Sequence, residues 1–452
     1  MLMMSHLRAR WERARASFWF VPLLMAPLGL LLAEMMLALD RRIPSSILIP
    51  GRLIVSAGAS EQRALCFAVA GATVGTAAVV FSLATVPMSI AASQFGSRLL
   101  RAFLSDVQTQ LVMGCFAATV LYCISVGLSI PLNAEIAQLP FLATTTTMLL
   151  FFICFGSVIV LVHHVGVVLQ APVITGRISR YLNRAIVAYT TSQGDTGPAG
   201  PEDERLREQI AAEGLPAIAG KTGYVDAIDG RRLAPLARQH EVVILLRALP
   251  GDFVMDGGVL AMVWPAARCT DAIIAAIRTC YLLRVQRSLI QDVGFGINQL
   301  VEIALRALSP AINDPLTAMN CLDRIGDSLR LLAAGERPPT LVRDEDGAAR
   351  LFFTSAGFAE LADAGLSPIR QYGRDSSMVL LRMLDVIAAV APYAQRPEDQ
   401  AALDHHIQLV GDTGEAGLCD ESERQALRLR LRAVEGLLDA SRAVARSRSV
   451  GI

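Results

Sequence analysis

Charge is what this sequence has least of. Asp, Glu, Lys and Arg make up 18% of the 452 residues, against about a quarter in an ordinary soluble chain. The 41 basic and 41 acidic residues cancel, so the basic excess that nucleic-acid binding requires is missing, and nucleic acid is excluded as a partner. Patterned cysteine is missing too. The eight cysteines contain no CxxC pair, so neither a zinc site nor a disulfide framework is expected, and they read as small apolar fillers. Catalytic signatures are absent as well: there is no G-x-S-x-G, no H-E-x-x-H and no P-loop, and Gly294-Phe295-Gly296 is too short to cradle a phosphate. The chain is expected not to be an enzyme and to carry no cofactor or metal.

What the sequence has in excess is apolar length. Residues of the hydrophobic class make up 53% of it, and the mean hydropathy is +0.46. Four long runs, about Phe18 to Leu39, Ala64 to Ala92, Leu111 to Leu132 and Thr144 to Gln170, each approach or exceed the roughly 20 residues that cross a hydrocarbon core as a helix. The first lacks a small-x-small cleavage site and is expected to stay in the mature protein. Arg8, Arg10, Arg13, Arg15, Arg98, Arg101, Arg177, Arg180 and Arg184 flank the runs on one side, and Arg41, Arg42, Arg52 and Arg63 on the other. Nine against four places both termini in the cytoplasm by the positive-inside rule, in the inner (cytoplasmic) membrane. The bilayer is the first partner expected.

Inside the second run, Gly71 and Gly75 form GxxxG among alanines. Such spacing lets helix backbones approach closely, so this face is expected to pack against another helix of the same chain or of a second copy. Glu34 near the outer end of the first run reads as snorkelling to water or as part of an ion path. His163 and His164, late in the fourth, read as packed interfacial histidines or as ligands for an ion. The stretch SQFGSRLLRAFLSDVQTQ after the second run has the spacing of an amphipathic helix.

Past Tyr181 the composition changes. Residues 176–215 read as a linker helix and a flexible Gly/Pro-rich segment, 216–268 as a small β-rich domain, and 269–452 as a helical domain, all following a 1–175 four-helix membrane domain. The stretch PGDFVMDGGVLAMV is similar to the strand-turn-strand of barrel-sandwich domains, without a lysine at the Met255-Asp256 turn to carry a prosthetic group. A helix is expected from Asp271 through Arg287 and another over Gln291 to Leu308. After the polar hinge Ser309-Pro310-Ala311-Ile312-Asn313, a third starts at Asp314-Pro315, an N-cap followed by a first-turn proline, with Leu316, Met319, Leu322 and Ile325 pointing inward. Glu302 and Arg306 form an i, i+4 pair. Gln291, Asp292, Arg306, Asn313 and Asp314 are an unusual polar group in an apolar neighbourhood and form the candidate ligand or partner site. The alternative reading of Asp314-Pro315 is a capped corner and nothing more.

The combination QFGSRLLRAFLSD, HHVGVVLQ, GYVDAID, PGDFV, QDVGFGINQLVEIALRALSPAINDPLTA and IRQYGRD resembles the bacterial predicted-membrane-protein family known as domain of unknown function 2254 (DUF2254). Ala311 stands where that family often has Gly. The resemblance implies an architecture and a membrane location and brings no catalytic residues with it. The fold class expected is an α-helical membrane protein with four transmembrane helices and a cytoplasmic α+β region. The leading functional expectation is an oligomeric channel-like or transport protein that assembles as a homo-oligomer and moves a small ligand or ion. The alternative is a membrane-anchored sensor or scaffold.

Overall fold

The computed structural model describes residues 19–43, 58–95, 106–131, 139–168, 170–190, 200–336, 340–354 and 356–449. The arginines at 8, 10, 13, 15, 52, 98 and 101 lie outside these residues, as does most of the amphipathic stretch that follows the second run. The chain divides into two compact units, 1–170 and 171–452.

The first unit is four helices: α1 (Phe20–Asp40), α2 (Ala59–Phe95), α3 (Val107–Ser129) and α4 (Phe141–Val168). All four are long and apolar enough to cross a membrane. Lipid offers no hydrogen bonds to a bare backbone, and a helix closes all of its own. α3 is the most buried of the four, with Phe116, Tyr122, Cys123 and Val126 at 2% exposure or less. Close approach is achieved at glycines other than the GxxxG pair. A Cβ placed on Gly29 of α1 would fall 2.2 Å from the Ala118 carbonyl oxygen of α3, and one on Gly114 would meet Met25. Gly71 and Gly75 instead face outward, with no described atom within 4 Å of a Cβ built on either. They therefore pack against no described helix of this chain.

Several polar groups inside the bundle bond to one another. Asp40 at the end of α1 accepts from the Leu142 and Ala143 N–H groups (2.9 and 2.8 Å) and so caps α4. Tyr122 OH donates to the Ala143 carbonyl (2.8 Å), and Thr144 Oγ1 donates to Gln62 Oε1 (3.0 Å). At the opposite end Asp106 caps α3 through Thr109 N (3.0 Å) and meets His164 Nε2 of α4 at 2.9 Å. Glu34 and His163 are exposed. No group of three or more metal-ligating side chains occurs among the described residues.

The second unit contains α5 (Ala171–Thr190), α6 (Pro201–Glu213), β1 (Leu215–Ile218), β2 (Gly223–Ile228), α7 (Gly230–Gln239), β3 (Val243–Leu246), β4 (Phe253–Val254), β5 (Val259–Trp264), α8 (Asp271–Cys280), β6 (Tyr281–Arg284), α9 (Val293–Ala307), α10 (Pro315–Ala334), β7 (Leu341–Arg343), β8 (Ala349–Phe352), α11 (Phe358–Tyr372), α12 (Ser377–Val390), α13 (Pro397–Gly417) and α14 (Glu421–Ser449). Five strands pair in the order β1-β5-β3-β8-β7 and three in the order β4-β2-β6. Three sequence expectations are corrected here. The helix from Asp271 stops at Cys280 because Tyr281 to Arg284 alternate buried and exposed and pair antiparallel with β2. The two strands of PGDFVMDGGVLAMV enter different sheets, β4 beside β2 and β5 between β1 and β3. The β region is not confined to 216–268, because β8 pairs in parallel with β3 and brings β7 with it.

Replacing Gly29 by Val is expected to force α1 from α3 and cost about 2 kcal/mol or more, whereas Gly71→Val leaves folding of the monomer unchanged. Thermal unfolding of both variants in detergent measures the difference.

Candidate functional site

The candidate residues divide between the two ends of α9. At about 1.5 Å per residue, its 15 residues hold Gln291 and Asp292 roughly 20 Å from Arg306, Asn313 and Asp314. They do not converge on one ligand.

At the start of α9, Asp292 is the N-cap. It is 5% exposed and accepts from Phe295 N at 2.8 Å. Arg287 holds the same carboxylate with two bonds, Nε to Oδ2 at 2.8 Å and Nη2 to Oδ1 at 3.1 Å, and its guanidinium lies over the Phe295 ring. The Pro250-Gly251-Asp252 turn closes over this clip. Gly251 has φ +101°, and a Cβ there would come within 2.6 Å of Asp292 Oδ2. Gln291 bonds both backbone groups of Ile228, accepting from its N–H (2.9 Å) and donating to its carbonyl (3.1 Å). One residue pair earlier on β2, the buried Asp226 takes Ser288 Oγ and, at 2.8 Å, Arg284 Nε. Residues 284–292 are thus a strap that ties the three-stranded sheet to α9.

At the end of α9, Arg306 meets Glu302 at 3.1 Å, and the two side chains are 39% and 38% exposed. The guanidinium is therefore half-buried, at the edge of the face that α9 turns to the core. The hinge is tightly bonded. Ser309 Oγ donates to the Arg306 carbonyl, Asn313 N to the Ser309 carbonyl and Asp314 N to the Ala307 carbonyl. Asn313 takes the left-handed conformation, φ +48°, so the residue of positive φ is not Ala311; asparagine tolerates it better than most side chains. Asp314 then caps α10, its two oxygens accepting from Thr317 N (3.1 Å) and Thr317 Oγ1 (2.6 Å), with Pro315 in the first turn. Leu316, expected inward, is 65% exposed, while Leu322 and Ile325 are fully buried.

A second polar cluster gave no signal beyond the IRQYGRD stretch. Arg370, Gln371 and Arg374, at the end of α11 and in the turn after it, share an open groove of about 760 Å³ with Asp412 and Thr413 of α13. Arg370 Nη1 donates to Thr413 Oγ1, whose own hydrogen goes to the Leu409 carbonyl. Arg370 Nε is buried with no partner among the described residues. His406, two turns back from Thr413 on α13, is 1% exposed. Burial, and secondarily the nearby His405 and Arg370, push its imidazole down to about 4, while Asp363 works the other way.

Asp314→Ala is expected to cost about 0.5–2 kcal/mol, with Asp314→Asn and Asp314→Ser close to wild type because they also cap. Asp292→Ala costs about 3–5 kcal/mol, since it also strands Arg287 in a largely buried position. Asp292→Asn falls between. Chemical denaturation of the five variants ranks them. Because folded His406 resists protonation, the unfolded state binds more protons between about pH 4 and the ordinary histidine pKa of about 6.5. Its contribution to stability is therefore complete above that window and is lost as pH falls through it. His406→Leu should flatten this acid limb by roughly 2 kcal/mol, read as melting temperature against pH.

Comparison with known proteins supplies the affiliation. The family model for DUF2254, described as a predicted membrane protein, matches residues 15–389. Uncharacterised proteins of Mycobacterium bovis and Mycobacterium tuberculosis are each 29% identical to this chain over 428 residues, covering 93% of it and 81% of their own length. No solved structure matches. With four helices fit to span a bilayer and a family match that runs from before the first of them into α12, the chain belongs to the DUF2254 family of predicted membrane proteins.

Proposed function

We propose that this chain is a non-enzymatic, membrane-anchored binding protein, whose four helices fix it in the bilayer and whose 171–452 unit receives a small polar ligand or a protein partner. One observation carries this reading. Tyr122, Gln62 and Thr144 of the helical bundle are bonded within it, whereas Arg370 Nε of the second unit is buried without an acceptor among the described residues, at the wall of an open groove. A buried donor left unmade costs about 1–3 kcal/mol, and an anionic or carbonyl group entering the groove would recover it. The arginine distribution along the sequence supports an inner-membrane placement with both termini and this groove in the cytoplasm.

A second reading, the oligomeric channel or transporter, is favoured by the outward-facing Gly71 and Gly75, which leave room for a helix of another copy. Ion flux through liposomes containing the purified full chain separates the two. The binding reading expects flux equal to that of protein-free vesicles. Flux that scales with the amount of chain and disappears with Gly75→Leu would replace it with the channel. Reporter fusions at Ile452 and between Asn133 and Thr144 are expected on opposite faces of the membrane, and a shared face overturns the placement.

A further inference from the structure

Helices α5 and α10 lie side by side and run in the same direction. Three side-chain contacts set their register: Thr175 Oγ1 donates to Asn320 Oδ1 (2.6 Å), Asn183 Nδ2 to Asp327 Oδ2 (2.7 Å) and Ser328 Oγ to Asn183 Oδ1 (2.8 Å). The sequence offsets are 145, 144 and 145 residues. Each helix has 20 residues, so the pair begins flush, with Ala171 level with Leu316. The Ser309–Asp314 corner that feeds α10 belongs to this flush end.

Covalent continuity places the flush end near the bilayer. Two residues, Leu169 and Gln170, separate α5 from Val168, the last residue of the fourth apolar helix. At about 3.3–3.6 Å per residue, α5 begins within roughly 10 Å of the point where the chain leaves that helix. The side chains at this end suit that address. Ile312 is 44% and Leu316 65% exposed, although a packed corner would bury them. Along α5, Arg177, Arg180, Tyr181 and Arg184 fall at i, i+3, i+4 and i+7, opposite the buried Ile174, Ile178, Leu182 and Ile186. α5 contains no Asp or Glu in a chain that is otherwise balanced. The side chains of Arg177, Arg180 and Arg184 make no hydrogen bond or ion pair with a described residue, whereas most arginines of the second unit are paired.

We propose that the flush end of α5 and α10 is a docking surface for anionic phospholipid of the membrane that the chain's own helices cross. Ile312 and Leu316 enter the boundary between headgroups and acyl chains, Arg177 and Arg180 reach toward the headgroup phosphates, and Arg184, roughly 20 Å along α5, adds its charge from farther out. Each arginine near an anionic surface contributes about 1 kcal/mol, which is roughly fivefold in the docked population. The SPAINDP stretch of this chain thereby has a use that capping alone does not give it: the cap fixes the corner, and the corner presents Ile312. This surface does not depend on what the Arg370 groove binds.

The test uses the full chain carrying Ile312→Trp in nanodiscs of brominated phosphatidylcholine, with and without phosphatidylglycerol. The unaltered chain supplies the background from its own tryptophans. Tyr393→Trp is the control, because Tyr393 lies under Arg330, near the far end of α10. The introduced tryptophan is expected to be quenched at position 312 and not at 393, and more strongly when phosphatidylglycerol is present. Arg177→Gln, Arg180→Gln and Arg184→Gln combined should abolish the dependence on phosphatidylglycerol while the melting temperature in detergent stays unchanged. If Ile312→Trp lowers the folded yield, Leu316→Trp gives the same measurement one helical turn on. Quenching at 312 and 316 no greater than at 393, or quenching indifferent to the anionic lipid, overturns the proposal.

Discussion

The second unit is organised by a polar seam between two helices that are otherwise held by apolar packing. Asn183 donates to Asp327 and accepts from Ser328, so both the nitrogen and the oxygen of its carboxamide are used in a half-buried contact. Apolar side chains would let α5 slide along α10 by a turn at modest cost, because Leu and Ile pack acceptably in several registers. A half-buried amide with specific partners resists the slip, since each lost bond must be remade with water or left unmet. The seam therefore fixes which residues share the end of the block, and with it the position of the hinge that α9 and α10 form.

The other end of α9 is fixed by charge. Asp292 serves at once as helix cap, as partner of Arg287 and as the floor beneath Gly251. A carboxylate this buried is tolerated because backbone N–H and guanidinium groups together satisfy its oxygens. Through the same strap, Gln291 imitates a strand neighbour for Ile228. Sheet and helical block are joined by side chains that mimic backbone, which explains why the stretch is so polar without being a pocket.

Much of this was readable in advance, and the failures have physical causes. The four helices long enough to cross a membrane follow from apolar length, and the Asp314-Pro315 cap follows from local chemistry completed within three residues. The strand at Tyr281 to Arg284 was read as helix because it follows a helix without a glycine or proline between them; only the partner β2, more than 50 residues earlier, makes it a strand. The apolar neighbours of Arg306 do not tell how far it is buried, and it is half-exposed. Whether one position of an amphipathic helix lies just inside or outside the buried arc depends on the helices that cover it. The GxxxG pair shows the same limit, since small residues permit close approach but do not summon a partner, and helices instead approach other glycines, Gly29 and Gly114 among them. The Arg370 groove had no signature, because its residues come from α11 and α13, some 40 positions apart.

By itself the sequence determined that the chain has four helices long enough to cross a bilayer, that a turn interrupts the segment before Asp314, and that this turn begins a capped helix. These depend on hydrophobicity and on hydrogen bonds closed within a few residues. Tertiary structure alone decided that Gln291 and Asp292 stand a helix length from Arg306, that Leu316 faces out, and that α5 and α10 begin level. Those outcomes depend on pairings between residues 60 to 145 positions apart, whose free energy comes from burial and mutual satisfaction of polar groups that no local window contains.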